Sequence, residues 1–173
     1  MAPWLQSSRL QKGGDGCNAG VMEQELLITK LAHTPEAAKI CATWLHDEWG
    51  YRRADSSLAI SIEKFKARAN IDELPIAFVA ISDGQPVGTV SLVATEDAAD
   101  TVGPWIGSVF VPSPKRGLGI ARKLIEVAEK EAARLDFQNV WLSAAAPGMY
   151  QKLGYTFTDE TRNGEPVMVK RLR

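Results

Sequence analysis

Cysteine and histidine are almost missing from this chain. There are two of each in 173 residues, Cys17 and Cys41 stand far apart, and neither a C-x-x-C pair nor histidines at ligand spacing occur. That excludes a disulfide-stapled scaffold and gives no zinc site, so no metal is expected and a reducing, cytoplasmic setting fits. No apolar run approaches the ~18 residues of a membrane span, so no membrane partner is expected. The formal net charge is only −1, which gives no reason to expect nucleic acid or an anionic lipid surface as a partner. No internal repeat or low-complexity block appears. The first residues, MAPWLQSSRLQKGGDGCNAG, have no apolar core of a secretory signal and are rich in Gly, Ser and Gln. Residues 1–22 are therefore read as a flexible extension, with Met22 as a second candidate start, and 23–173 as one domain.

What is present is globular: 45% apolar and 24% charged residues, enough for one ordinary core. ELLITKLA reads as a strand. Thr34 and Pro35 are then a candidate N-cap and first turn of a helix that Gly50 ends, with Ile40, Cys41, Trp44, Leu45 and Trp49 on one broad buried side. A second helix spans roughly Leu58 to Ala69. Two β-rich runs meet at Asp83-Gly84, a pair that accepts the positive φ of a tight turn, and Gly88 in the returning strand suggests a bulge. A strand from Pro104 to Val111 leads through a glycine turn into a helix from about Gly117 to Leu135. Its apolar stripe is Ile120, Leu124, Ala128, Ala132 and Leu135, with Glu126 and Lys130 as an outer i,i+4 pair. NVWLSA is a further strand, PGMYQKLG a short helix ended by Gly154, and two closing strands turn at Asn163-Gly164. The order β-α-α-β-β-β-α-β-α-β-β is an α/β fold with a mixed central β-sheet flanked by helices.

The stretch VFVPSPKRGLGIARKLI, Val109 to Ile125, carries the chemistry. A strand that feeds a helix through glycines presents backbone N–H groups and the positive end of the helix dipole, which together make an anion site. Gly117 and Gly119 admit the φ angles that turn amides inward and keep side chains out of the way. Lys115, Arg116, Arg122 and Lys123 add charge for a ligand with several phosphates; an ordinary loop with solvated cations is the plainer alternative. No G-x-x-x-x-G-K-[ST] string exists, which disfavours NTP hydrolysis. The dinucleotide pattern also fails, because Arg122 stands where a third glycine is needed and Asp136 precedes the next strand instead of ending it.

Residues Arg116-Gly117-Leu118-Gly119-Ile120-Ala121 satisfy R-x-x-G-x-[G/A], and Met149 to Tyr155, MYQKLGY, satisfies Y-x-K-L-G-[F/Y] about thirty residues later. In these motifs and in its element order from Glu25 to Leu172, the chain resembles the GNAT superfamily of acyl-CoA-dependent N-acetyltransferases. The resemblance implies acetyl-CoA as cosubstrate and an amine acceptor as partner. It also implies that Val109, Phe110 and Val111 hydrogen-bond the pantetheine arm along the strand edge, that residues 116–121 hold the pyrophosphate, and that an amide of the same strand polarises the thioester carbonyl. Tyr150 would be the general acid at the departing sulfur; a packed core tyrosine is the alternative. One departure stands out. Many relatives carry an asparagine after the strand equivalent to NVWLS, where this chain has AAAPG; Asn139 lies too early to replace it, leaving Ser143 or water.

The base is not singled out by any motif. Glu96 and Asp97 follow the third strand, and His46, Asp47 and Glu48 end the first helix; each also reads as a solvated surface group, and a water relay would serve. Trp49, Tyr51, Arg52 and Arg53 suggest an acidic or carboxylate-bearing acceptor. Trp105 is either a wall of the acceptor pocket or a core residue. The expectation is an N-acetyltransferase acting on a primary amine of a small molecule or peptide N-terminus, as a monomer or homodimer. A CoA-binding sensor or interaction module without turnover is the alternative from another class, and a nicotinamide-binding protein a third.

Overall fold

The structure is a computed structural model that describes residues 25–172. The extension read over residues 1–22 lies outside the described residues, as does Cys17. Seven strands form one sheet: β1 (Leu26–Lys30), β2 (Ile76–Ser82), β3 (Gln85–Val93), β4 (Trp105–Phe110), β5 (Asn139–Ser143), β6 (Thr156–Arg162) and β7 (Glu165–Arg171). Their spatial order is β1-β2-β3-β4-β5-β7-β6, and only β4 and β5 run parallel. Among the described residues there are four α-helices: α1 (Ala38–Trp49), α2 (Leu58–Lys66), α3 (Ile120–Arg134) and α4 (Pro147–Lys152). The element order is the one read from the sequence.

Strand alternation divides the core between the two faces of the sheet. Phe78, Ala80, Val90, Leu92 and Ile106 pack with Ile120, Leu124, Ile125, Ala128 and Ala132 of α3. Ala77 and Val79 face the other way, with Cys41 and Ala42 of α1 and Phe65 of α2. The β2–β3 turn has positive φ at Asp83 and Gly84, and the register shifts one residue before Gly88. At Gly88 a Cβ would stand 3.0 Å from Leu124 Cδ1 and 3.1 Å from the Phe110 carbonyl oxygen, so this glycine lets α3 approach the sheet.

Several local expectations change. Thr34 caps a 3₁₀ turn, Pro35–Ala37, and its hydroxyl goes to Glu36, so α1 itself begins at Ala38. Gly50 is right-handed (φ −56°) and continues into the turn Gly50–Arg52. It is glycine because a Cβ would come within 2.8 Å of His46 Nδ1. Ile40 is exposed, the buried stripe of α1 being Ala38, Cys41 and Ala42. Helix α2 stops at Lys66, and Ala69 instead bridges to Ile76. Glu126 takes Arg122 Nε at 2.8 Å, one turn N-terminal, where Lys130 was expected.

An ion-pair cluster ties the first strand to the longest helix. Lys30 of β1 reaches Glu131 of α3 at 2.7 Å, and Arg134 reaches the same carboxylate at 2.7 Å. Burial works against ionising Glu131, but hydrogen bonds and charge from Arg134 and Lys30 outweigh it and hold the carboxyl below the usual range. A depressed folded value contributes stability that is fully present above the unfolded value near ~4.3 and disappears as pH falls through the folded one. Glu131→Gln is therefore expected to lower the melting midpoint by several degrees at pH 7, about 1–3 kcal/mol for a half-buried network. The gap between variant and parent should close on acidification below pH ~4, followed by calorimetry; a gap independent of pH would contradict this account.

Candidate active site

Strand β4 carries the site. Thr89 pairs with Phe110 and Ser91 with Gly107, so two residues, Ser108 and Val109, stand opposite the single Val90. Ser108 takes up the extra residue with φ 53°, a left-handed conformation strained for serine. The bulge also re-aims side chains. Gly107 and Phe110, three residues apart, both come to the α1/α2 face, where Phe110 stacks on Trp44 at 5.7 Å and meets Trp49 edge-on at 6.2 Å.

On its other edge β4 pairs with β5 only at Trp105 and Trp141, beside a hydrogen bond from Trp141 N to Pro104 O of 3.0 Å. Beyond that rung the two strands run unpaired. Free main-chain groups along Ile106–Phe110 can therefore accept an extended ligand as a strand would be accepted. The expected residues Val109, Phe110 and Val111 form the outer part of this edge, with the Val111 side chain itself buried.

The chain then turns through Ser113–Lys115 into α3. Gly117 and Gly119 have φ of 79° and 75°, no side chain among the described residues caps α3, and an added Cβ at either glycine would meet no described atom within 4 Å. Open space thus lies in front of uncapped amides at the positive end of a helix. Ile120 packs inward, so only its backbone is available there, while Leu118 is exposed and Ala121 half-buried. Arg116 is turned back: its Nε donates to Val111 O at 2.8 Å and its guanidinium lies 5.8 Å from the Phe110 ring centroid, fixing the turn to the strand end.

Two further residues, on β5 and α4, bear on the site. Ser143 Oγ is buried, makes no hydrogen bond of ordinary geometry among the described residues, and lies near enough to Glu96 to lower its carboxyl. In the region of the missing asparagine, this hydroxyl can serve either that glutamate or a ligand's polar group. Tyr150 is 7% exposed and packs edge-on against Tyr155 at 5.8 Å, yet its hydroxyl makes no hydrogen bond to any described residue. Burial first, then the charges of Glu165 and Glu96, push its phenol up to about 12, so it stays protonated. Tyr155 has the structural role instead: its hydroxyl donates to Glu129 Oε1 at 2.8 Å, and Lys170 Nζ donates to the other oxygen at 2.6 Å.

The carboxylates weighed as bases, Asp47, Glu48, Glu96 and Asp97, all belong to exposed residues, and Asp97 caps its own loop by accepting from Ala99 N, so what separates them is what each side chain touches. Glu96 differs. Its Oε1 lies 2.7 Å from where a Gly107 Cβ would be, so the carboxylate packs directly onto β4 and Gly107 makes room for it. Burial pushes the Glu96 carboxyl above the usual range, with Arg162 opposing. Arg162 of β6 donates to Glu96 Oε2 at 3.2 Å and also grips Asp100, whose Oδ2 accepts the Glu96 and Asp97 amides at 2.7 and 2.8 Å. Its guanidinium lies 4.1 Å from the ring centroid of Trp105, which is fully buried and donates to Val102 O, a core residue and not a pocket wall. The glutamate is thus held from three directions.

A cavity of about 340 Å³ opens between α1, α2 and β4, lined among others by His46, Trp49, Arg53, Asp55, Lys64, Arg68 and Ser108. His46 Nδ1 contacts Ser61 Oγ at 3.1 Å and Ser56 Oγ at 3.3 Å. Tyr51 is exposed, and Arg52 turns away to Glu165 at 3.4 Å, so Trp49 and Arg53 alone of the expected aromatic and cationic cluster line this cavity. Arg68, which sequence reasoning passed over, donates from one nitrogen to both Ser91 Oγ and Ser108 Oγ at 2.8 Å. Burial and the Arg53 charge press its guanidinium below the usual value, with Glu96 opposing. Cys41 offers no thiolate, since burial pushes its thiol up to about 12. No cluster of metal ligands occurs among the described residues.

The comparisons with known proteins agree with this geometry. A search of curated proteins finds no significant match. Among solved structures, an aminoglycoside 6'-N-acetyltransferase complexed with coenzyme A superposes with a TM-score of 0.67 at 19% identity, covering 84% of this chain and 96% of that one. A GNAT-family acetyltransferase from Streptococcus pneumoniae gives 0.64 at 18% identity, covering 86% and 100%. The aminoglycoside 6'-N-acetyltransferase from Enterococcus faecium gives 0.64 at 19%, covering 84% and 96%. These likenesses establish the fold. The profile of the acetyltransferase (GNAT) family matches residues 39–155, from the first helix through the Y-x-K-L-G-[F/Y] motif, and the chain therefore belongs to the GNAT acetyltransferase family.

Proposed function

We propose that the protein is an acetyl-CoA-dependent N-acetyltransferase that acylates a primary amine of a small molecule or peptide N-terminus by direct transfer. The observation that carries this reading is the continuity of three features along β4: uncapped glycine-turn amides at one end, an unpaired strand edge, and a carboxylate packed on Gly107. The residues present suit the cosubstrate. The turn of residues 116–121 would hold the pyrophosphate, through the backbone amides that follow Arg116, whose own amide is donated to Ser113 O; the edge of Val109, Phe110 and Val111 would hold the pantetheine arm, and Ser143 Oγ one of its polar groups. When bound, acetyl-CoA supplies a thioester whose acetyl group an amine can take, with release of the CoA thiol.

The chain's residues divide the proton work. An amine arrives largely protonated, with an ordinary pKa near ~8 for an α-amine and ~10 for a lysine-like group, and must lose a proton to attack. Glu96 takes it, held toward β4 by Arg162 and partly desolvated, which makes it a stronger base than a surface carboxylate. Tyr150, protonated throughout the neutral range, donates at the sulfur. A backbone amide of β4 would polarise the carbonyl.

The direct test is release of free thiol from acetyl-CoA with and without a pool of primary amines, the product identified by mass spectrometry. Amine-dependent release is expected. Coenzyme A binding without release would favour the sensor or interaction module. The pyrophosphate assignment has its own check. Gly119→Ala should weaken coenzyme A about tenfold by calorimetry, the worth of roughly one charge-assisted hydrogen bond, at a stability cost near 1 kcal/mol for alanine at positive φ. Unchanged affinity would remove the turn from the binding site.

A further inference from the structure

We propose that the cavity between α1, α2 and β4 selects acceptors bearing a carboxylate close to the amine, α-amino acids being the class that fits, and that Arg68 binds that carboxylate. This deepens the transferase reading and rests on it. Arg68 lines the cavity, and no carboxylate among the described residues forms an ion pair with it. Its only side-chain hydrogen bonds there are from one terminal nitrogen to Ser91 and Ser108. Nε and the other terminal nitrogen, the edge that pairs with a carboxylate in two parallel bonds, have no partner among the described residues. A half-buried arginine with that edge open to the cavity is suited to an anion.

The surroundings give the same sign. Arg53, Lys64 and Arg68 line the cavity against the single acid Asp55. That balance repels polycationic acceptors such as aminoglycosides, although aminoglycoside acetyltransferases are among the structural neighbours. Spacing narrows the class further. Arg68 lines the cavity and touches Ser108, while Glu96, outside that lining, packs on the preceding residue Gly107 and is near enough for its charge to act on Arg68. An acceptor that spans the two carries its carboxylate close to its amine, as in an α-amino acid. At about 340 Å³ the cavity lies at the small end of the ~300–1,000 Å³ typical of ligand pockets.

The test compares standard L-amino acids with their carboxamides, binding to the full chain in the presence of coenzyme A by calorimetry. At least one amino acid should bind about 10- to 100-fold more tightly than its amide, the loss of hydrogen bonds to a charged partner. Arg68→Gln should erase that preference without changing coenzyme A affinity, and Arg68→Lys should restore it only in part, because an ammonium lacks the planar fork. The acid–amide comparison on the unaltered protein stands even if a variant fails to fold. Amides binding as well as acids, or no amino acid binding at all, would overturn the proposal. Carboxylate-dependent binding without thiol release would instead overturn the transferase reading and leave the Arg68 assignment standing.

Discussion

Glu96→Gln should lower kcat by about 10²- to 10⁴-fold, the range of a positioned general base, while leaving coenzyme A affinity unchanged. The carboxylate packs on Gly107, which pairs with Ser91 and precedes Ser108, the β4 residue that lines the cavity. Burial lifts its proton affinity above that of an ordinary glutamate, so the parent enzyme's rate should rise with pH through an apparent value above ~4.3. That limb should be absent from the variant. Stability separates this from a structural role. A raised carboxyl means that the charge is disfavoured by folding, and above the folded value this costs stability, so neutral glutamine should leave the melting midpoint unchanged or higher at pH 7. Glutamine can still accept from Arg162, so the loop stays anchored. A variant within a few-fold of the parent rate would move the base to His46 or to water.

Why Glu96 and not Asp97 was indistinguishable in the string TEDAAD is a matter of loop closure. Asp100 gathers the Glu96 and Asp97 amides, and Arg162, sixty-six residues after Glu96, then fixes which side chain turns inward. No local pattern announces that contact. Arg68 was hidden in the same way: in KFKARAN it is one cation among three, and its significance lies in Ser91 and Ser108, reached across the sheet. By contrast, features that rest on short-range chemistry were legible. Asp83-Gly84 and Asn163-Gly164 have the positive φ their types permit, Gly117 and Gly119 likewise, and the stripe of α3 faces the sheet as its period required. Element ends were less so, because Gly50 reads as a stop but is present for the approach of His46. The bulge at Ser108 had no sequence signal, since serine is not a residue that left-handed backbone favours. Yet that bulge is what brings Gly107 and Phe110 to one face and sets the strand's relation to the cavity.

Tyr150→Phe should cost about 10²-fold in kcat, with KM for acetyl-CoA little changed, because the hydroxyl acts only as charge grows on the departing sulfur. The ring is buried and stacks edge-on with Tyr155, contacts that phenylalanine keeps. The hydroxyl has no partner to lose among the described residues, so the melting midpoint should hold. With the phenol at about 12, the deficit should be uniform from pH 6 to pH 10, in contrast to the lost acid limb of Glu96→Gln. Tyr155→Phe is the matched control. Its hydroxyl binds Glu129, which also takes Lys170, so that substitution should lower stability by roughly 1–3 kcal/mol and leave kcat near the parent value. Two tyrosines five residues apart, one unpartnered beside the strand split and one locked into a buried carboxylate, thus make opposite predictions for rate and for melting. If Tyr150→Phe instead melts earlier at full turnover, the sulfur receives its proton from elsewhere and Tyr150 is a packing residue.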